Sequence, residues 1–268
     1  MFSSSASKSL FVEPNLDSII HDSFEQFEKY GFSLMEHGDY EILEKELEDP
    51  EGNYELLFED NNATIIMWKK MNGEGGKNCL SEMHSHDTVR HKYKMIVNHP
   101  VQVFYDLLKD YDRRYLWDKR DGGREILAIF NVDGKPQNQV VEYLVKKGNL
   151  IVSSRDFVTI NTERYCEKTN SYLMIGKSVN EFPKESLSSY IRGNILYLGM
   201  KIAPIDDKSC EFYCVTQTNM SGYIPNFVYE WALKSLPSEF QAITYEGCQQ
   251  RIREGCSTFT NYYKLASK

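Results

Sequence analysis

Arg114 and Asp118 stand four residues apart in a stretch that reads as a short helix, so they share one helical face. An arginine held beneath apolar walls offers a planar, permanently charged fork that suits a phosphate. The same two residues on a surface would be an ordinary ion pair contributing only a few tenths of a kcal/mol. Glu142 poses a related question. On a strand it shares parity with Val140 and Leu144, and a carboxylate on that apolar face is costly unless a cation meets it. Arg114 is one candidate partner, which would leave less of its guanidinium for a phosphate; exposure of Glu142 to solvent is the other outcome. His84-Ser85-His86-Asp87 with His91 has the residue types of a metal site, yet it reads better as a polar lead-in to a strand starting at Val89. No Gly-x-Ser-x-Gly elbow, phosphate-cradling glycine loop or zinc-peptidase motif occurs, and Gly73-Glu74-Gly75-Gly76 is most simply a hairpin loop. No catalytic residue, metal or cofactor is assigned.

A different candidate is apolar. Leu150-Ile151-Val152 follows Gly148-Asn149, a pair suited to a surface turn, and runs into Ser153-Ser154-Arg155-Asp156-Phe157-Val158. Three bulky aliphatic residues on a loop tip suit contact with a membrane or a greasy ligand. A buried strand is the competing reading of the same residues.

The elements that must position these groups follow from composition and pattern. A chain of 268 residues, 41% apolar and 26% charged, fits one large domain or one domain with a modest extension, long enough to wrap a cavity as well as a core. No run approaches the roughly 18 apolar residues of a membrane-spanning helix, so membrane contact must be peripheral. The N-terminus shows no secretory pattern, Phe2 stands where myristoylation requires glycine, and the lead-in reads as flexible. Six cysteines (79, 166, 210, 214, 248 and 256) form no Cys-x-x-Cys pair, which favours reduced, mostly buried thiols in the cytoplasm.

The net charge of -8 is local. Between Glu36 and Asp60 there are 11 acidic residues against Lys45 alone, and the rest of the chain holds 28 acidic and 30 basic residues. With no basic stripe to release counterions, nucleic acid is not an expected partner. The acidic segment reads as a solvated helix and loop, or as a patch for a protein partner.

Residues 14–30 read as an amphipathic helix, with Pro14 in the first turn and Leu16, Ile19, Ile20, Phe27 and Tyr30 on one face. From Tyr54 onward strands dominate: 63–68, 89–97, 125–130, 139–145, 157–160, 172–179, 189–202 and 212–218. Short helices are expected after His99-Pro100 and over Arg113 to Lys119, the second capped by Asp112. A long amphipathic helix is expected after Pro237, with Tyr245, Cys248, Ile252, Cys256, Phe259 and Tyr263 on its apolar face. Many antiparallel strands and a long terminal helix give an α+β layer.

Four segments now carry a resemblance: Trp117-Asp118, Ser153-Ser154-Arg155-Asp156-Phe157, Ile191-Arg192-Gly193 and Gly222-Tyr223-Ile224-Pro225. In order and spacing, across roughly residues 54 to 260, they resemble the StAR-related lipid-transfer (START) domain family. The resemblance implies a helix-grip fold, a curved antiparallel β-sheet gripped by the C-terminal helix around a cavity for one lipid. With the lead-in, helix and acidic segment read above, the expected domain boundaries are 1–13 (lead-in), 14–53 (helix and acidic segment) and 54–268 (lipid-binding domain, with the N-terminal helix packed on it). The resemblance also implies a gate made of the loop before Arg155-Asp156 and the terminal helix, which makes Leu150, Ile151 and Val152 the candidate membrane-entering residues. Gly222 is a candidate hinge or an ordinary turn residue.

Head-group residues carry over position by position. Arg114 and Asp118 match a pair that lines the cavity of the family's phosphatidylcholine carriers, with the arginine toward the phosphate. The aromatic residues around choline correspond to Leu144, Leu196, Thr216 and Phe157, of which only Phe157 keeps a ring, and a phosphate-contacting glutamine corresponds to Leu198. Glu142 matches an acidic residue of the sterol carriers whose basic partner falls near Asn161. Arg155 and Arg192 read as framework. The expectation is a non-enzymatic cytoplasmic carrier that touches membranes transiently and holds a glycerophospholipid in preference to a sterol. A lipid sensor or scaffold is the alternative, and a START-type thioesterase would need a second, catalytic domain.

Overall fold

The computed structural model describes residues 16–21, 31, 33–48, 54–70, 90–111, 113–131, 139–149 and 151–255. In chain order they form α1 (Leu16–Ile19), β1 (Ile20–His21), α2 (His37–Glu48), β2 (Tyr54–Glu59), β3 (Ile65–Lys70) and β4 (Arg90–Val97). There follow α3 (Val101–Lys109), β5 (Asp121–Phe130), β6 (Gln139–Lys146), β7 (Arg155–Cys166), β8 (Ser171–Ser178), β9 (Ile191–Arg192), β10 (Asn194–Asp206), β11 (Ser209–Asn219) and α4 (Asn226–Arg253). All strands join one sheet in the order β1-β5-β6-β7-β8-β10-β11-β4-β3-β2, with β9 beside β7. Pairing is antiparallel except at β1–β5 and β7–β9.

Alternation along the strands builds two cores, one on each face. Val141, Tyr143 and Val145 of β6 join Val158, Ile160, Leu173 and Ile175 beneath Tyr40 and Leu43 of α2. On the opposite face Met95, Ile202, Phe212 and Cys214 meet Phe104, Leu107 and Leu108 of α3 and Cys248 of α4. A sheet with both faces covered by helices in this way is an α+β layer with its long helix last, as expected.

Several boundaries differ from expectation for identifiable reasons. The helix over 14–30 is interrupted: α1 ends at Ile19, because Ile20 and His21 pair with Ile129 and Phe130. Residues 22–30 lie outside the described ones. The helix expected over 113–119 is a single 3-10 turn, Arg114–Leu116, because β5 begins at Asp121. Asp118 N–H still donates to the Arg114 carbonyl at 2.8 Å, which keeps the two side chains on one face. Asp112 lies outside the described residues. The strand over 189–202 is split at Gly193, where a Cβ would stand 2.2 Å from Cε1 of Phe157. The terminal helix starts well before Pro237, at Asn226 after Pro225, and carries Pro237 inside it. Its expected continuation through Cys256, Phe259 and Tyr263 is outside the described residues, as are His84 to Asp87 and Gly73 to Gly76.

The acidic segment is only partly solvated. Tyr40, Leu43 and Glu46, three residues apart, are the buried stripe of α2. The Glu46 carboxylate accepts from Tyr54 Oη at 2.5 Å, Lys70 Nζ at 2.6 Å and Arg90. Its exposed neighbours Glu41, Glu44 and Glu48 face water. Among the described cysteines, Cys210, Cys214 and Cys248 are buried and unbridged, and burial pushes the Cys214 thiol up to about 12. Among the described residues no helix is long and apolar enough to cross a membrane.

Candidate functional site

Between the inner face of the sheet and α4 lies a cavity of about 540 Å³. Inward positions of β10, β11 and β4 give it an apolar wall of Leu198, Met200, Phe212, Cys214 and Tyr93, which Leu233, Leu236, Pro237 and Phe240 of α4 face. Phe212 anchors this wall, edge to face with Tyr93 at 5.9 Å and with Phe104 at 5.4 Å between ring centroids.

The wall made by β5, β6, β7 and the preceding 3-10 turn is charged. Arg114 Nε lies 3.3 Å from Asp118 Oδ2 and 3.8 Å from Asp121 Oδ1. Lys146 Nζ approaches the same two oxygens at 3.1 and 3.5 Å. Arg124 donates to Glu142 Oε2 at 2.9 Å, and Asn161 Nδ2 donates to Glu142 Oε1 at 2.9 Å. Farther along β7, Glu163 accepts from Tyr105 Oη at 2.6 Å and lies 2.9 Å from Lys109 Nζ. Burying charges is costly unless each is paired and hydrogen-bonded, and here cations and carboxylates alternate.

Titration reflects that alternation. Burial works to raise the Asp118 carboxyl, but Lys146, Arg114 and Arg120 outweigh it and hold it well below the usual carboxylate range. Burial and Arg114, with Arg124 behind it, push the Lys146 amine down to about 8 despite Asp118 and Asp121. Lys109 goes the other way, raised above the ordinary lysine value because Glu163 overcomes burial.

The cavity brings together Arg114, Asp118, Glu142, Leu144, Asn161, Leu198 and Thr216 from the expected set. Two expectations are corrected. Leu196 is 42% exposed and does not line the cavity, because it is the extra residue of a β-bulge between Ile195 and Tyr197. The bulge puts Ile195 and Leu198 inward and sends Tyr197 to the opposite core. Phe157 has the inward parity of Thr159 and Asn161, but its ring is shut beneath Gly193 and does not reach the cavity. Glu142 is met by Arg124 and by Asn161, the position where the resemblance puts its partner; of the two outcomes left open for it, neither pairing with Arg114 nor exposure to solvent is what is seen.

Arg124, Lys146, Lys109, Asp121 and Glu163 were not expected at the site. For two of them the signal was present: the parity that singles out Glu142 extends to Lys146, and that of Asn161 extends to Glu163.

The apolar loop follows directly on Lys146 and Lys147, which line the cavity. Ile151 is 61% exposed and Val152 partly buried, while Leu150 is outside the described residues. Asn149 Oδ1 accepts from the N–H groups of Ile151 and Val152 at 2.8 and 2.9 Å, a side-chain turn that holds the tip open. Gly148 is obligatory there, since a Cβ would stand 2.0 Å from the Val152 carbonyl oxygen. Buried Arg155 donates to the carbonyls of Met220 at 3.2 Å, Ser221 at 3.1 Å and Ser153, so it ties this loop to the segment entering α4. Asp156 receives Tyr143 Oη at 2.8 Å and Arg192 Nε at 3.1 Å. Gly222 takes φ +67° with its neighbour Ile191 close by, a turn conformation that favours glycine. Tyr223, Phe227 and Trp231 follow at intervals of four and are 81%, 69% and 60% exposed.

An antiparallel sheet and a long terminal helix enclosing an amphipathic cavity define a helix-grip domain. The START domain family matches residues 53–253, and the chain belongs to that family, whose domains bind or transfer lipid. Human STARD10 superposes with a TM-score of 0.68 at 18% identity, covering 83% of this chain and 83% of that one. Human StAR-related lipid transfer protein 5 gives 0.62 at 17% identity, covering 80% and 95%. At these identities the likeness is one of fold. Acetyl-coenzyme A thioesterase of Rattus norvegicus is 28% identical over 136 residues, and that of Mus musculus 27%. The match spans 50% of this chain and 24% of each of those proteins.

Proposed function

We propose that this chain is a cytoplasmic lipid carrier that takes one lipid from a membrane, holds it in the cavity and releases it at another membrane without catalysing a reaction on it. The observation that carries this reading is an amphipathic cavity lined by α4 and by the strand end that leads into an apolar loop, with Ile151 on that loop and Phe227 and Trp231 on α4 exposed. A two-chain lipid with roughly 30 methylenes costs on the order of 25 kcal/mol to place in water at about 0.8 kcal/mol per methylene. The apolar wall replaces the bilayer, and Ile151, Leu150, Val152, Phe227 and Trp231 let the mouth meet the membrane so that chains avoid water.

A glycerophospholipid suits the charged wall best. Arg114 is the phosphate-facing group, and Asp118 beside it supplies a carboxylate for a head-group ammonium, so a zwitterion exchanges two internal contacts for two of its own. A sterol is the second reading, favoured by the Glu142–Arg124–Asn161 cluster, which offers both a donor and an acceptor to a hydroxyl. The exposed carboxylates of α2 suit a protein partner through residues 36–60.

Transfer between labelled vesicles tests the carrier. The double variant Leu150→Asp with Ile151→Asp should slow transfer at least about tenfold while the folded signal persists; wild-type transfer by that variant sinks the reading of the mouth. Native mass spectrometry of Arg114→Ala should show weaker retention of phospholipid with little change for sterol, and equal losses of both would remove the arginine from head-group recognition.

A further inference from the structure

The carrier reading leaves one chemically capable group unused. Lys146 ends β6 with the inward parity of Glu142 and Leu144, lines the cavity, and keeps its side chain 33% exposed. Its Nζ is held by Asp118 and Asp121, the two carboxylates that also hold Arg114. Arg124 reaches Asp121 at 3.8 Å from the other side, with Glu142 beyond it. On α4, Glu239 is engaged by Arg120 at 3.3 Å, and Arg120 also lines the cavity. Arg114, Arg124 and Lys146 therefore converge on Asp121, with Asp118 and Glu142 as the flanking carboxylates. Guanidinium groups keep their protons at any working pH, so the lysine is the member that can give one up.

A lysine crowded by fixed cations in a partly dry pocket is the usual way of making that side chain nucleophilic near neutral pH. Burial first, and the neighbouring arginines second, shift the amine down, so more of it is uncharged at pH 7 than of an ordinary lysine. The wall opposite, Leu198, Met200, Phe212 and Cys214, suits an alkyl chain. An amine at one end of such a chamber meets whatever electrophile terminates the chain.

We propose that Lys146 is a covalent capture site for long-chain aliphatic aldehydes, held as an imine with the alkyl chain along the apolar wall. The lone pair of Nζ forms a bond to the carbonyl carbon, and the carbonyl π electrons move to oxygen, which takes up one proton released by the nitrogen. The resulting carbinolamine loses its hydroxyl as water, with the second nitrogen proton, while the nitrogen pair forms the carbon–nitrogen double bond. One aldehyde and one neutral amine give one imine and one water, and neither partner is oxidised or reduced. Once protonated, the imine carries the charge of the ammonium it replaces, and Asp118 and Asp121 remain its counterions. Alcohols, acids and esters of the same length lack an electrophile that an amine attacks without activation.

The test treats the full chain with hexadecanal, traps the imine by reduction with cyanoborohydride, and maps adducts by mass spectrometry. Lys146 should acquire a hexadecyl group at least about tenfold faster than exposed Lys168 and Lys208 in the same molecules. Excess hexadecanol should slow that adduct at least about fivefold and leave the surface lysines unchanged. Labelling of Lys146 at the surface rate overturns the proposal, whatever any variant does, and so does equal slowing of all sites by hexadecanol. Lys146→Arg, which keeps the charge, should remove the fast phase; persistence of that phase on another residue assigns it elsewhere and overturns the role of Lys146. The capture needs the cavity but not membrane transfer, so hexadecanol bound to the protein in native mass spectra, without a fast adduct, refutes capture alone, while loss of vesicle transfer leaves capture standing.

Discussion

Inward positions on β6 and β7 carry Glu142, Lys146, Asn161 and Glu163, whereas those on β10 and β11 carry Leu198, Met200, Phe212 and Cys214. Both rows arise from the same alternation of side chains, yet they are held by different physics. Contacts on the apolar side are nondirectional, so a side chain of similar volume can replace another at small cost. On the charged side each group is tolerated because a particular partner meets it, and removing one partner strands the other. One wall is therefore free to accept many alkyl chains, while the other is selective about what meets it.

The sharpest way to break this contrast is Glu163→Ala, which removes a buried acceptor from Lys109 and Tyr105. It should cost about 3–5 kcal/mol in chemical denaturation; a loss below about 1 kcal/mol would mean the charged wall relaxes as readily as the apolar one. Acid comes next. Because the folded Asp118 carboxyl lies below its unfolded value of 3.8, its stabilisation is complete above that value and is lost progressively as pH falls from there through the folded value. Each unit of depression stands for about 1.4 kcal/mol. Stability curves at pH 6 and pH 3 should therefore differ less for Asp118→Asn than for the wild type, and an unchanged difference would remove Asp118 from the acid response. A smaller effect is expected from Leu198→Ala, about 1–2 kcal/mol because the site is already lined by a cavity, with the acid response unaltered. Ile151→Ser should change stability by less than about 0.5 kcal/mol, and a larger loss would show that the loop belongs to the folded core.

Strands β4, β6 and β8 were legible because short runs rich in Val, Ile, Leu, Met and Tyr mark strands, and their expected bounds fall within a residue or two of the observed ends. Glu142 was legible as a charge inside such a run, on the face shared with Val140 and Leu144. Its cationic partner was not. Arg124 comes from a neighbouring strand, and only the register of β5 against β6, itself shifted by irregularities at 121–123 and 126–128, brings the two together. Leu196 shows the converse: counting along β10 predicts an inward side chain, and a bulge at that residue turns it out. Pro237 was read as a helix boundary because proline usually marks one, whereas Pro225 starts the helix and Pro237 is buried inside it against the cavity. Family resemblance located the segments correctly, but residue-by-residue transfer fails wherever a bulge or a covering glycine intervenes.

Pro237 also has a mechanical consequence. Lacking an N–H, it cannot donate to the carbonyl four residues earlier, so α4 has one missing rung where its two ends meet. On one side of that rung are the wetted rings of Phe227 and Trp231; on the other, Thr244 and Cys248 are locked in the core. Flexure there breaks one bond fewer than elsewhere along the rod. The helix is thus an anchored lever with a softened joint, and its load, the exposed aromatic end, sits at the far tip.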